Sequence, residues 1–200
     1  MDGKTHVAVG VASTAIVLYH TQFSVIDWGM ALGVAVVGAT LPDVDVVNGR
    51  KSWDRVKYLV LFCAAYVVQM LMSHTDMVQR VIGMALFFGL YLLGSQQPHR
   101  GFTHSIAAWA MFTTSVYLAF KGVSFAIWII LGFSVSYASH LAIDVLNRKG
   151  CQYLWPLPKR WCLRICTADG IVSKIVMWIS YITAGCIIAV SVATSLGATF

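Results

Sequence analysis

Four histidines and three aspartates stand in short polar runs that interrupt an otherwise apolar chain: His6, Asp43 and Asp45 in LPDVD, His99 and His104 in HRGFTH, and His140 and Asp144 in SHLAID. Neutral imidazole and carboxylate together suit zinc first and manganese second, because all-oxygen cages suit magnesium or calcium better. Seven donors exceed the roughly four that one zinc takes, so two or more ions are expected, and a paired site suits displacement at a phosphoester by metal-activated water. The sequence contains no Glu, so any carboxylate acting as general base is an Asp. All seven residues are candidate ligands, with Asp45, His104 and Asp144 as the catalytic candidates and Arg100, Thr103, Arg148 and Lys149 as candidates for holding substrate.

Each run has a bland reading beside the chemical one. His140 and Asp144 are four apart and share a helix face, which suits two ligands of one ion but also a simple hydrogen-bonded pair. Asp43 and Asp45 follow Pro42 and bring their carboxylates to a common cation only if the backbone bends locally. Gly101, between His99 and His104, permits a conformation other residues avoid. Thr103 and Ser105 are placed to cap the next helix. Ser105 beside His104 also suggests a nucleophilic triad, but that would leave most of the cluster unexplained.

The elements that must gather these residues are membrane helices. At 58% hydrophobic and 11% charged residues, the chain lies far from the roughly 25% charged residues of a soluble domain. Apolar segments run approximately over 7–19, 28–41, 58–72, 81–94, 106–120, 123–143 and 171–196, without the period-2 alternation of barrel strands. About six or seven hydrophobic helices in a single all-α domain over 1–200 are therefore expected, several shorter than the about 20 residues that cross a bilayer comfortably. Small residues at Gly10, Ala12, Ser13, Ala15, Ala31, Gly33, Ala35, Gly38 and Ala39 would let the first two helices approach closely as a hairpin. Residues 145–170, with Gly150, Pro156, Pro158 and Gly170, read as a surface loop.

Taken in pairs, the segments between His6 and Asp43, between Asp45 and His99, and between His104 and His140 each leave one membrane face and return to it. All seven candidates then share a face. Twelve basic residues fall on that face (Lys4, Arg50, Lys51, Arg55, Lys57, Arg100, Arg148, Lys149, Lys159, Arg160, Arg164 and Lys174), against Arg80 and Lys121 on the other. This bias places the site on the cytoplasmic side of an inner or plasma membrane. His20, His74, Asp27 and Asp76 fall opposite and read as solvated. The net charge of +6 is spread over short loops rather than one patch, which argues against a nucleic-acid partner. Five cysteines without a CxxC pair read as free thiols. The start MDGKTHVAVG does not have the pattern of a cleaved signal, so His6 is expected in the mature chain.

The runs TH at 5–6, LPDVD at 41–45, HRGFTHS at 99–105, SHLAID at 139–144 and LWP at 154–156 resemble the YdjM-type family of membrane-bound, metal-dependent hydrolases. The resemblance implies a helical fold distantly similar to the zinc-dependent phospholipase C and single-strand nuclease group. It also implies clustered zinc ions for phosphoester cleavage, with His6, Asp43, Asp45, His99, His104, His140 and Asp144 as ligands; the substrate expected for an enzyme in a bilayer is a membrane lipid or lipid-linked phosphoester. Two departures stand out. Residues 58–94 insert a helical hairpin where some members have a shorter polar connection, and Val46 and Val47 replace the His or Pro that often follows PDxD. A metal-ion transporter, with ligands near the midplane, and a non-catalytic protein with a closed structural metal site are the competing readings.

Overall fold

The computed structural model describes residues 1–19, 21, 24–45, 60, 63, 64, 67, 76–167 and 170–195. Among these the chain is all-helical: α1 Gly3–Tyr19, α2 Val25–Thr40, α3 Met77–Ser95, α4 Ile106–Ala119, α5 Ala126–Asp144 and α6 Ile171–Ser195, with 3-10 turns at Leu41–Asp45 and Phe102–His104. The first arm of the expected 58–94 hairpin lies outside the described residues apart from four helical positions; its second arm is α3.

Local chemistry sets the ends of the helices that carry the motifs. Ser24 and Asp27 form a capping box at the start of α2, so Asp27, expected to be merely solvated, satisfies the backbone there. At the other end Pro42 lacks the N–H that would continue the α ladder, and the chain tightens into the 3-10 turn that presents Asp43 and Asp45. The Ser105 hydroxyl accepts from the Ala108 N–H at 3.0 Å and starts α4 directly after His104, as expected of a cap.

Helix α2 lies against α1 and α5 through a stripe of small residues. Ala31, Ala35 and Ala39, four apart and fully buried, line one face of α2. A Cβ on Gly10 of α1 would sit 2.8 Å from the Ala39 Cβ and 3.1 Å from the Ser136 Cβ of α5, so α1, α2 and α5 meet at one point. The expected α1–α2 hairpin is thus part of a three-helix junction. Its tightest contacts are made by α2 with α5, at Gly38 and Gly132, whereas Gly33 has open space around it. Phe87, Phe112, Phe133 and Tyr137 fill the core between α3, α4 and α5.

The outside is apolar too. Ile26, Val78, Ile82, Ile171, Trp178 and Ile182 are all more than half exposed, as suits side chains that face lipid. Four stretches, Val25–Asp45, Met77–Ser95, Ala126–Asp144 and Ile171–Ser195, are long and apolar enough to cross a membrane. Helix α6 packs mainly along α1, where the Thr5 and Ser173 hydroxyls hydrogen-bond at 3.0 Å, and leaves most of its surface outward. After α5, two single-pair bridges, Asn147 with Cys166 and Cys151 with Trp161, fold residues 145–166 back under the bundle. That segment, read as a surface loop, buries Asn147, Cys151 and Cys166.

Candidate metal centre

One end of the bundle gathers all seven candidate ligands. His6 comes from the first turn of α1, Asp43 and Asp45 from the turn after α2, His99 and His104 from the loop before α4, and His140 and Asp144 from the last turns of α5. His6, Asp45, His104, His140 and Asp144 are buried, while Asp43 at 22% and His99 at 40% side-chain exposure form the open side. Donor atoms fall into overlapping sets whose members lie within 4.8 Å of one another: His6, His140 and Asp144; Asp43, His104 and His140; Asp45, His99 and His104; and His104, Asp144 and Cys151.

The distances inside these sets have a consistent meaning. His104 Nε2 lies 3.4 Å from His140 Nε2, 3.4 Å from Asp144 Oδ2 and 3.6 Å from Asp43 Oδ1, and His6 Nε2 lies 3.4 Å from Asp144 Oδ1. Good hydrogen bonds centre near 2.9 Å. Two ligands at about 2.0–2.2 Å from one tetrahedral zinc would instead stand about 3.3–3.6 Å apart. The donor set therefore fits a metal of that size, and the tautomers support it. His140 Nδ1 is 2.7 Å from the Ala39 carbonyl oxygen, which accepts its proton and leaves Nε2 with a lone pair turned to the cluster. His104 Nδ1 is 3.2 Å from Thr103 Oγ1, whose own proton goes to Asp45 Oδ2 at 2.9 Å, so Oγ1 accepts from the ring. With each Nδ1 engaged elsewhere, the two Nε2 atoms face each other at 3.4 Å and need a cation between them, a metal ion or the proton of a charged His104. His6 adds Nε2, 3.4 Å from Asp144 Oδ1, while its buried Nδ1 has no hydrogen-bond partner among the described residues.

The same balance acts on protons. Burial opposes the charged form of His104, yet the surrounding carboxylates of Asp144, Asp43 and Asp45 outweigh it and raise the pKa well above 6.5. Burial pushes the Cys151 thiol up to about 11.

Asp45 has a second task. Its Oδ1 lies 2.7 Å from His99 Nδ1, and its Oδ2 accepts from the Arg100 backbone N–H at 3.0 Å and from Thr103, so it orders the whole HRGFTH loop. The left-handed position of that loop is Arg100, at φ 66, rather than Gly101, at φ −93. Gly101 is required for space, since a Cβ there would meet the Pro98 carbonyl oxygen at 2.9 Å. The turn at Arg100 carries its guanidinium inward, with Nη2 3.5 Å from Asp144 Oδ1. Thr103 is fully buried. Arg148 and Lys149 are exposed on the segment after α5 and take no part in the cluster's hydrogen bonds.

Two participants had no signal in the sequence. Cys151 reaches the cluster through a long turn-rich segment with no ligand-type spacing. Tyr137, one turn before His140 on α5, donates its hydroxyl to the Thr103 carbonyl at 2.6 Å and fixes the loop from below. Tyr137→Phe is expected to leave that buried carbonyl without a donor, at about 1–3 kcal/mol. It should also weaken metal affinity by roughly tenfold, in the range of lost outer-sphere support. Thermal unfolding in detergent and a metal titration of the variant check both.

Apolar helices with a buried His and Asp cluster at one end define a polytopic membrane protein with a candidate metal centre. The chain belongs to the YdjM inner membrane protein family, whose sequence model matches residues 1–199. It is 27% identical over 158 residues to uncharacterized protein YvsG of Bacillus subtilis (strain 168), covering 78% of this chain and 74% of that one. No solved structure matches.

Proposed function

We propose that this membrane protein is a metal-dependent hydrolase that cleaves a phosphoester of a lipid or lipid-linked substrate, with two or more zinc ions held by the His and Asp cluster on the cytoplasmic side. The observation that carries the reading is the approach of His104 Nε2 to His140 Nε2 at 3.4 Å among three carboxylates, a spacing that two ligands of one zinc would take. Bound there, the ions would polarise a phosphoryl oxygen and acidify a water.

The residues divide the remaining work. His6, His140 and Asp144 form one ligand group, and Asp43 with His104 and His140 forms the next, so His140 links them. Asp45 serves with His99 and positions His104 through Thr103. Asp43, on the open side, is the carboxylate best placed to take a proton from an attacking water, and His99, half-exposed and held by Asp45 at 2.7 Å, can return one to the leaving oxygen. Arg100, already turned inward, offers its guanidinium to a phosphate. The cluster sits at the end of the bundle among the helix termini, where a headgroup arrives from the membrane surface; this favours an enzyme over a transporter, whose ligands belong at the midplane.

Burial of His104, His140 and Asp144 favours the second reading, a structural metal that ties the helix ends together. The two separate in one experiment. Purified protein, zinc-loaded or chelated, is given phospholipid vesicles and prenyl phosphates, and phosphate or headgroup release is followed beside metal content. Zinc-dependent release that disappears in His104→Ala supports the enzyme. Full zinc loading without release from any phospholipid or prenyl phosphate leaves the structural role.

A further inference from the structure

Cys151 is fully buried at the edge of the cluster, on a segment whose position is fixed on both sides. Its backbone exchanges hydrogen bonds with Trp161 at 3.1 and 3.0 Å, and the next residue, Gln152, donates to the Arg100 carbonyl at 3.2 Å. Gly150, at φ 62, turns the chain into this bridge. The sulfur is therefore fixed by the paired bonds to Trp161 on one side and by the Gln152 bond to the HRGFTH loop on the other.

What it faces is a carboxylate oxygen shared with an imidazole. Cys151 Sγ lies 3.6 Å from Asp144 Oδ2, and His104 Nε2 lies 3.4 Å from the same oxygen. A tetrahedral zinc bound at about 2.3 Å to sulfur and about 2.0–2.1 Å to oxygen and nitrogen would set these separations at about 3.6 and about 3.4 Å. The second of these is too long for a firm hydrogen bond. Arg100 Nη1, 3.9 Å from the sulfur, would stabilise the anion once the proton has left.

We propose that Cys151 is a thiolate ligand of the metal centre, joining His104 and Asp144 in a three-donor group with mixed S, N and O chemistry. The proposal rests on the metal-centre reading above and narrows it, because a thiolate selects zinc, cobalt or cadmium over manganese and magnesium. On binding, the S–H bond breaks, its proton passes to solvent and a sulfur–metal bond forms, with no change of oxidation state.

Cobalt(II) is the probe, because thiolate coordination adds a near-ultraviolet charge-transfer band to the visible d–d bands of a tetrahedral site. The full-length protein in detergent is expected to show both. Cys151→Ser should lose the charge-transfer band, keep the d–d bands, and bind cobalt at least about tenfold more weakly. A variant with Cys63, Cys162, Cys166 and Cys186 all changed to Ser should keep the band, which holds the test open if Cys151→Ser does not fold. Tetrahedral d–d bands without a charge-transfer band, or a band that survives in Cys151→Ser, overturns the Cys151 assignment and leaves the His and Asp centre standing. No cobalt bound by the wild-type protein overturns both.

Discussion

Asp144→Ala is expected to empty the metal centre and to destabilise the metal-free protein in the same variant. Asp144 is the residue on which the cluster converges: His6 at 3.4 Å, His104 at 3.4 Å, His140 at 3.7 Å, Arg100 at 3.5 Å and Cys151 at 3.6 Å. Alanine removes a donor common to two of the four ligand groups and leaves the buried Arg100 guanidinium without this carboxylate. Breaking a buried pair from one side costs about 3–5 kcal/mol, so metal-free Asp144→Ala should unfold well below the wild type in detergent. Asp144→Asn separates the two effects. It keeps the volume but removes the charge, so it too should bind little zinc. Arg100→Met with Asp144→Ala should recover much of the lost stability without recovering zinc, and a double-mutant cycle reads the coupling. Zinc content near wild type in Asp144→Ala would remove Asp144 from the ligand set.

The sequence was most informative where the membrane leaves the chain few choices. Apolar runs expected over 81–94, 106–120, 123–143 and 171–196 appear as Met77–Ser95, Ile106–Ala119, Ala126–Asp144 and Ile171–Ser195, because only a helix satisfies its own backbone in hydrocarbon. The meeting of His6, LPDVD, HRGFTH and SHLAID was legible for a related reason. Each lies at a helix end, and the helix pairs α1–α2 and α4–α5 each leave that end of the bundle and return to it. Even so, α1 begins at Gly3, ahead of its apolar run, and so places His6 within its first turn.

Tertiary contacts were not legible. Nothing in periodicity separates Gly38, pressed against α5, from Gly33, with nothing near it, since both are small residues on one helix. Arg100 read as a loop cation and a substrate contact; its φ of 66 follows from a backbone bond to Asp45, 55 residues away in sequence. Cys151 joins His104 and Asp144 only because the 145–166 segment folds back through bridges of one residue pair each, too short to leave a strand pattern.

The crossing of α2 and α5 is where packing and chemistry depend on each other, and a second large stability effect is expected there. A Cβ on Gly132 would stand 2.9 Å from the Ala31 carbonyl carbon and nearer still to its oxygen, and a Cβ on Gly38 would stand 3.1 Å from the Phe133 Cα and nearer to its carbonyl oxygen. These neighbours are mostly backbone and cannot rotate away, so the helices must separate. Overpacking typically costs about 1–3 kcal/mol, and Gly38→Leu and Gly132→Leu should reach or exceed the upper end of that range. Separation also acts on the site. Ala39, next to Gly38, supplies the carbonyl that accepts from His140 Nδ1 at 2.7 Å; α2 leads into Asp43 and Asp45, and α5 carries His140 and Asp144. Gly38→Leu should therefore lose zinc in parallel with thermal stability. Gly33→Leu, facing open space on the same helix, should keep both, and its better helix propensity should add up to about 1 kcal/mol. If Gly38→Leu binds zinc as well as Gly33→Leu does, the ligands of α2 and α5 are held together by something other than this crossing.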